Sequence, residues 1–109
     1  MRKLLILSLA LAVIATIPAM AAGKGDAAAG KTLFAAKCAS CHGPAGEGKD
    51  SIAKALKVEL RPFASKDVQA KTDAGLKKDT VEGVGKMKGV KLTDDEAANV
   101  IAFIRTLAK

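Results

Sequence analysis

The segment Cys38-Ala39-Ser40-Cys41-His42 joins the two cysteines of the chain to its single histidine. This C-x-x-C-H pattern is typical of c-type haem attachment. Two thiols three positions apart near a helix end project from one face and can form thioethers with the two vinyl groups of a porphyrin. The next residue then lies under the ring, where an imidazole can bind iron. The pattern predicts one haem c (iron) per chain, covalently bound through Cys38 and Cys41, with His42 as a ligand.

Other uses of a C-x-x-C pair compete with this interpretation. A thioredoxin-like redox pair needs a βαβ setting, which the sequence does not offer. A zinc site needs four ligands, and the chain supplies two cysteines, one histidine and carboxylates without ligand-like spacing. A plain structural disulfide also stays open. The combination of the pattern with the export signal and sparse core described below favours haem.

Met87 is the candidate for the second axial ligand of the iron. It is the only methionine after Met20, and it lies in the glycine-rich segment 83–89, which can bring backbone close to a flat ring. A thioether stabilises ferrous iron relative to ferric iron and so raises the reduction potential. A methionine that fills a gap in the core is the usual alternative. The flanking Lys86 and Lys88 disfavour a core position.

Residues 1–21 have the layout of a secretory signal peptide. Arg2 and Lys3 precede an uncharged run over residues 4–17, which is followed by Pro18 and a small-x-small sequence that ends at Ala21. The run is shorter than the ~20 residues that span a bilayer, so a membrane anchor is disfavoured. We predict cleavage after Ala21, with cleavage after Ala22 as the alternative. We also predict export to a bacterial periplasm without stable membrane insertion, and one domain over residues 22–109.

The exported part of the chain is poor in large apolar residues. Only 18 of its 88 residues are Leu, Ile, Val or Phe, which borders on the composition of chains that do not fold. Small domains also bury proportionately little surface. A covalently bound apolar cofactor would therefore supply part of the interior.

The patterning predicts an all-α chain with two longer terminal helices and short helices between them. Asp26 is a candidate N-cap for a helix to about Ser40, and Thr93 to Glu96 form a capping box that opens a helix to about Ala108. This last helix has Phe103 beside an apolar face. The apolar face comprises Ala97, Val100, Ile101, Ile104, Leu107 and Ala108. No run alternates with period two for long enough to predict a strand. Short helices are expected over residues 51–57, 65–71 and from 72 or 73 to 82, before an extended loop over 83–91.

The chain resembles class I c-type cytochromes, the small soluble monohaem electron carriers, over residues 26–109. The resemblance rests on the C-x-x-C-H segment with a late Met87, on Gly30 and Phe34 before the cysteines, and on an apolar residue and an aromatic three apart on the last helix. It implies a cytochrome c-like fold in which the N- and C-terminal helices cross, with short helices between, around one covalent haem. It also implies that Gly30 and Phe34 meet Val100 and Phe103.

Two features depart from this family. Relatives often have Pro directly after the ligand methionine, where this chain has Lys88, so the loop is expected to be less rigid. Relatives also orient the haem-bound histidine through a backbone carbonyl, often of a proline. Neither Pro44 nor Pro62 is at an obvious spacing for this, so the partner of His42 Nδ1 stays open, although such a partner is expected.

Iron with both His42 and Met87 bound has no vacant position, which favours outer-sphere electron transfer over catalysis. The sequence therefore predicts a monomeric periplasmic one-electron carrier, not an enzyme, that shuttles electrons between larger redox proteins. The alternative is a haem-based sensor of small ligands or a weak peroxidase with a labile Met87.

The basic charge suggests acidic docking faces on those redox partners. Without Arg2 and Lys3 the chain has 16 basic and 11 acidic residues, a formal charge of +5. Lysines around an exposed haem edge would steer acidic partners, although lysines along helices are usually just a solvated surface. Basic and aromatic residues are not interleaved, so nucleic-acid binding is not expected. The candidate lysines are Lys37, Lys54, Lys57, Lys86, Lys88 and Lys91.

Overall fold

The computed structural model describes residues 25–108, and the predicted signal peptide lies outside them. This part of the chain forms six helices and one antiparallel pair of two-residue strands. No helix within it is long and apolar enough to cross a membrane. The elements in order are α1 (Ala27–Lys37), α2 (Ala39–His42), α3 (Asp50–Leu56), α4 (Lys66–Gln69), α5 (Asp73–Glu82), β1 (Gly83–Val84), β2 (Met87–Lys88) and α6 (Asp94–Thr106).

The helix starts follow from their N-cap side chains. Asp26, Ser65 and Thr72 each accept a hydrogen bond from a backbone N–H in the first turn of α1, α4 and α5. Thr93 and Glu96 form the predicted capping box of α6. The backbone N–H and hydroxyl of Thr93 lower the pKa of the Glu96 carboxyl, so this cap is charged at neutral pH. These local signals were all readable in the sequence.

Two expectations need correction. The first helix does not run unbroken to Ser40, because the backbone leaves the helical path at Cys38 and resumes it in α2. The segment predicted as a loop contains the β1–β2 hairpin, in which Val84 pairs with Met87. Strands of two residues are too short to show an alternating pattern, so the prediction of no strand was wrong.

Helices α1 and α6 pack at Gly30, as the family resemblance implied. A Cβ on Gly30 would overlap the backbone carbonyl of Asn99 and lie 3.0 Å from the amide nitrogen of Val100. One turn further along α1, the ring of Phe34 lies against that of Phe103, with centroids 5.1 Å apart. Phe34 and Val100 are the most completely buried large side chains.

The core is small and forms one wall of a cavity. Of the predicted apolar face of α6, Ala108 is exposed and Leu107 only partly buried. Val68, Leu76 and Ile104 belong to the core and also line the cavity. The buried apolar residues are Phe34, Val68, Leu76, Ala97, Val100, Ile101, Phe103 and Ile104.

Replacing Gly30→Ala should destabilise the fold by roughly 3 kcal/mol, because the added methyl group forces two helix backbones apart. Urea unfolding of the purified protein measures this loss. Gly75→Ala is the control, since a Cβ there would meet only the Thr72 hydroxyl, at 3.2 Å. Equal stabilities of the two variants would contradict the close approach of α1 and α6.

Candidate functional site

A cavity of about 690 Å³ brings the four predicted site residues together. Cys38, Cys41 and His42 line it from the junction of α1 and α2, and Met87 lines it from β2. This volume lies within the range of small-molecule and cofactor sites. Its apolar lining residues come from the chain after the cysteine motif, between α3 and α6: Ile52, Leu56, Val58, Leu60, Phe63, Val68, Leu76, Val84, Val90 and Ile104.

The helical geometry around the cysteine motif places both thiols on one wall of the cavity. The Cys38 amide donates to Phe34 O at 2.8 Å, and the His42 amide donates to Cys38 O at 3.0 Å. The Cys41 amide also donates to Cys38 O at 3.2 Å, and this tight turn leaves both cysteines on the cavity lining. Neither cysteine is in a disulfide. Burial raises the pKa of the Cys38 thiol, and the charge of Lys37 partly offsets this.

The imidazole of His42 is half-buried and stacks on a phenylalanine. The ring centroids of His42 and Phe63 are 4.7 Å apart, with an interplanar angle of 29°. Burial lowers the pKa of His42, so the ring is neutral at pH 7, the form that binds a metal. The Nδ1 atom is buried without a hydrogen-bond partner in the described part of the chain. The expected carbonyl partner is therefore absent there, and Nε2 is the nitrogen left for the cavity.

Phe63 is held in place from several directions, and the sequence reasoning did not single it out. Its amide donates to Gly46 O at 2.9 Å, and its carbonyl accepts from Gln69 Nε2 at 2.7 Å. A Cβ on Gly46 would lie 2.6 Å from the Phe63 ring, so this approach requires glycine. Arg105 in turn donates to the side chain and the carbonyl of Gln69. The one signal for Phe63 in the sequence was that the chain has three Phe and no Trp or Tyr.

The hairpin of residues 83–88 brings Met87 to the cavity lining. Its two-residue loop has a positive φ at Gly85 and not at Lys86, the pattern of a type II′ turn. Gly83 also has positive φ, and a Cβ there would lie 2.7 Å from the Gly89 amide nitrogen. Directly after the hairpin, the Val90 amide donates to Thr80 O at 2.8 Å. These constraints fix the base of the hairpin against α5.

The predicted lysines divide into three groups. Lys37, Lys86 and Lys88 line the main cavity. Lys54 and Lys57 line a neighbouring pocket that shares Val58, Glu59 and Leu60 with it. Lys91 lines neither. Two further cations on the main cavity are paired, Arg61 with Asp67 at 3.2 Å and Lys71 with Asp79 at 2.8 Å.

The donor set fits a haem better than a bare metal ion. The cavity combines an apolar lining with two thiols, a neutral imidazole and a thioether, which are the groups that attach a porphyrin and bind its iron. Within residues 25–108 no group of three or more His, Cys, Asp and Glu side chains could hold a metal ion. The zinc interpretation therefore has no support in the described structure, and the helical setting of the cysteines is not a βαβ unit.

Comparison with known proteins gives the same result. The cytochrome c family profile matches residues 27–108. Cytochrome c6 of Picosynechococcus sp. is 38% identical over 120 residues, which cover 100% of this chain and 97% of the relative. Cytochrome c-554(547) of Halothiobacillus neapolitanus is 36% identical over 94 residues, covering 76% and 98% respectively. The solved structure of the KustC0563 c-type cytochrome has a TM-score of 0.62 and 28% identity, and the match covers 73% of this chain and 98% of that one.

The chain belongs to the cytochrome c family as a small class I c-type cytochrome. It carries covalent haem c through its two cysteines, Cys38 and Cys41, as the motif predicted. As a member of this family it is a c-type cytochrome electron carrier rather than an enzyme.

The double variant Cys38→Ser, Cys41→Ser should release all haem on extraction with acidified acetone, because no thioether can form. The wild-type protein should retain its haem in a pyridine haemochrome assay of the extracted polypeptide. Ser40→Ala is the control, since Ser40 is exposed between the two cysteines and should leave the haem bound. Retention of haem by the double variant would show that the thiols are not the attachment points.

Proposed function

We propose that this protein is a periplasmic one-electron carrier between larger redox proteins, with His42 and Met87 as the axial ligands of its haem iron. The observation that carries the proposal is that His42 and Met87, 45 residues apart, line the same cavity as both cysteines. When bound with two protein ligands, haem supplies a one-electron Fe(III)/Fe(II) couple without a vacant position for substrate.

The residues of the chain have distinct tasks in this proposal. His42 donates through Nε2, and its ring orientation is restricted by the stacked Phe63. Met87 donates through sulfur, which favours the ferrous state and raises the potential. The apolar side chains around the cavity exclude water, which keeps the environment of the couple nearly unchanged between its two charge states.

The location of the protein follows from the proposed signal peptide over residues 1–21, with the cytochrome c domain over 22–109. Covalent haem attachment through two cysteines also suits an oxidising compartment, because it leaves no free thiol. An intact mass that begins at Ala22 and includes one haem is the expected product after export.

Replacing Met87→Leu should lower the reduction potential and open the iron to carbon monoxide, because the thioether is lost while the side-chain volume is nearly kept. The matched variant Met87→His should also lower the potential but should still exclude carbon monoxide, since an imidazole can fill the same position. Potentiometry and stopped-flow mixing of the reduced proteins with carbon monoxide measure both effects.

Measurements on the wild-type protein distinguish the proposed electron carrier from the alternative. The alternative is a sensor or weak peroxidase with a labile Met87. A carrier shows a Met-to-ferric-iron charge-transfer band and reacts slowly with carbon monoxide at neutral pH. Rapid carbon monoxide binding by the reduced wild-type protein would favour the sensor and exclude the carrier proposal.

The surface around the cavity suits acidic partners. Leu56 and Val84 are the exposed large apolar residues of the described chain, at 42% and 55% exposure, and both line the cavity. The lysines Lys37 and Lys88 line the same cavity. An apolar patch with lysines around it favours transient docking of an acidic surface, which positive charge steers at low salt.

Lys37→Glu should slow oxidation of the reduced protein by ferricyanide several-fold at low ionic strength, because it reverses a positive charge at the cavity. Lys31→Glu is the matched control on the same helix, since Lys31 is exposed and does not line the cavity. Stopped-flow rates at ionic strengths between about 10 mM and 0.5 M should converge for the two variants as salt screens the field. Equal slowing of the two variants at low salt would contradict the prediction, because the net charge of the protein alone would then determine the oxidation rate.

A further inference from the structure

One hydrogen bond joins the tip of the hairpin to the end of α3, 30 residues earlier in the chain. The ammonium Nζ of Lys86 donates to the backbone carbonyl oxygen of Leu56 at 2.6 Å. Lys86 is the second residue of the hairpin loop, and Leu56 is the last residue of α3. Both residues line the haem cavity, so this bond joins two segments of the cavity lining.

The end of α3 is a favourable acceptor for an ammonium group. The last carbonyls of a helix have no partners within the helix, and they carry the negative end of the helix dipole. The chain turns away directly after Leu56, where Lys57 adopts a left-handed conformation with φ of 54°. The Leu56 carbonyl is thus left without a helical N–H donor, and Lys86 supplies a charged one.

The hairpin that carries Met87 is held by backbone contacts at its base and by a side-chain hydrogen bond at its tip. The base of the hairpin is anchored by the Val90 amide on Thr80 O and by close backbone contacts at Gly83. The tip has the Lys86 bond to Leu56. A ladder of two-residue strands is weak on its own.

We propose that Lys86 is a positioning residue for Met87, and that its hydrogen bond to the Leu56 carbonyl holds the hairpin closed against the cavity. This inference rests on the proposed function, because it takes Met87 to be the iron ligand. Lys86 does not touch the iron. It acts by lowering the population of a state in which the hairpin has moved away and Met87 has left the cavity wall.

The test compares Lys86→Ala with Lys88→Ala in the haem-loaded protein. The two variants remove equal charge from positions adjacent to Met87, and the side chain of Lys88 makes no hydrogen bond or ion pair in the described chain. Lys86→Ala should weaken the Met-to-ferric-iron charge-transfer band and raise the carbon monoxide association rate about tenfold, equivalent to ~1.4 kcal/mol of lost closure. Lys88→Ala should retain the wild-type band and rate.

Two further measurements separate positioning from charge. Lys86→Arg keeps a charged donor and should recover most of the band. Hydrogen–deuterium exchange should accelerate over residues 83–89 in Lys86→Ala and not in Lys88→Ala, which reports hairpin opening without reference to ligand binding. The proposal would be overturned if Lys86→Ala and Lys88→Ala had the same charge-transfer band, the same carbon monoxide association rate and the same hydrogen–deuterium exchange over residues 83–89. Absence of the band from the wild-type protein would instead overturn the ligand role of Met87, on which this inference depends.

Discussion

The contact between α1 and α6 at Gly30 determines where the cysteine motif lies. Because Gly30 has no side chain, the backbone of α1 packs directly on Asn99 and Val100, and the tilted rings of Phe34 and Phe103 are in contact one turn further along. The C-x-x-C-H segment begins four residues after Phe34, so its position is set by this helix pair. A larger residue at Gly30 would displace the motif together with the helix that carries it.

The small core explains why the haem cavity and the hydrophobic core cannot be treated separately. Val68, Leu76 and Ile104 contribute to both, so they have protein on one side and the cavity on the other. A chain with so few large apolar residues gains from a cofactor that packs against them. Covalent attachment through Cys38 and Cys41 makes that packing permanent.

The two proposed ligands are held in position by different structural elements. His42 belongs to a helix and is flanked by Phe63, whose backbone is hydrogen-bonded on both sides. Met87 belongs to a hairpin with two-residue strands, whose tip makes the Lys86 hydrogen bond to Leu56. The cavity is therefore lined on the Met87 side by a less extensively held segment, and in our proposal this segment controls access of exogenous ligands to the iron.

Local features of this protein are determined by its sequence alone. The caps at Asp26, Ser65, Thr72 and Thr93 and the C-x-x-C-H spacing act within a few residues, so they were readable without the fold. Met87 was a candidate ligand from the sequence because no other methionine follows Met20. The hairpin, the stacking of Phe63 on His42 and the Lys86 bond to Leu56 were not predicted. They join segments up to 30 residues apart through backbone carbonyls and ring faces, and only tertiary packing decides which carbonyl or ring comes within reach.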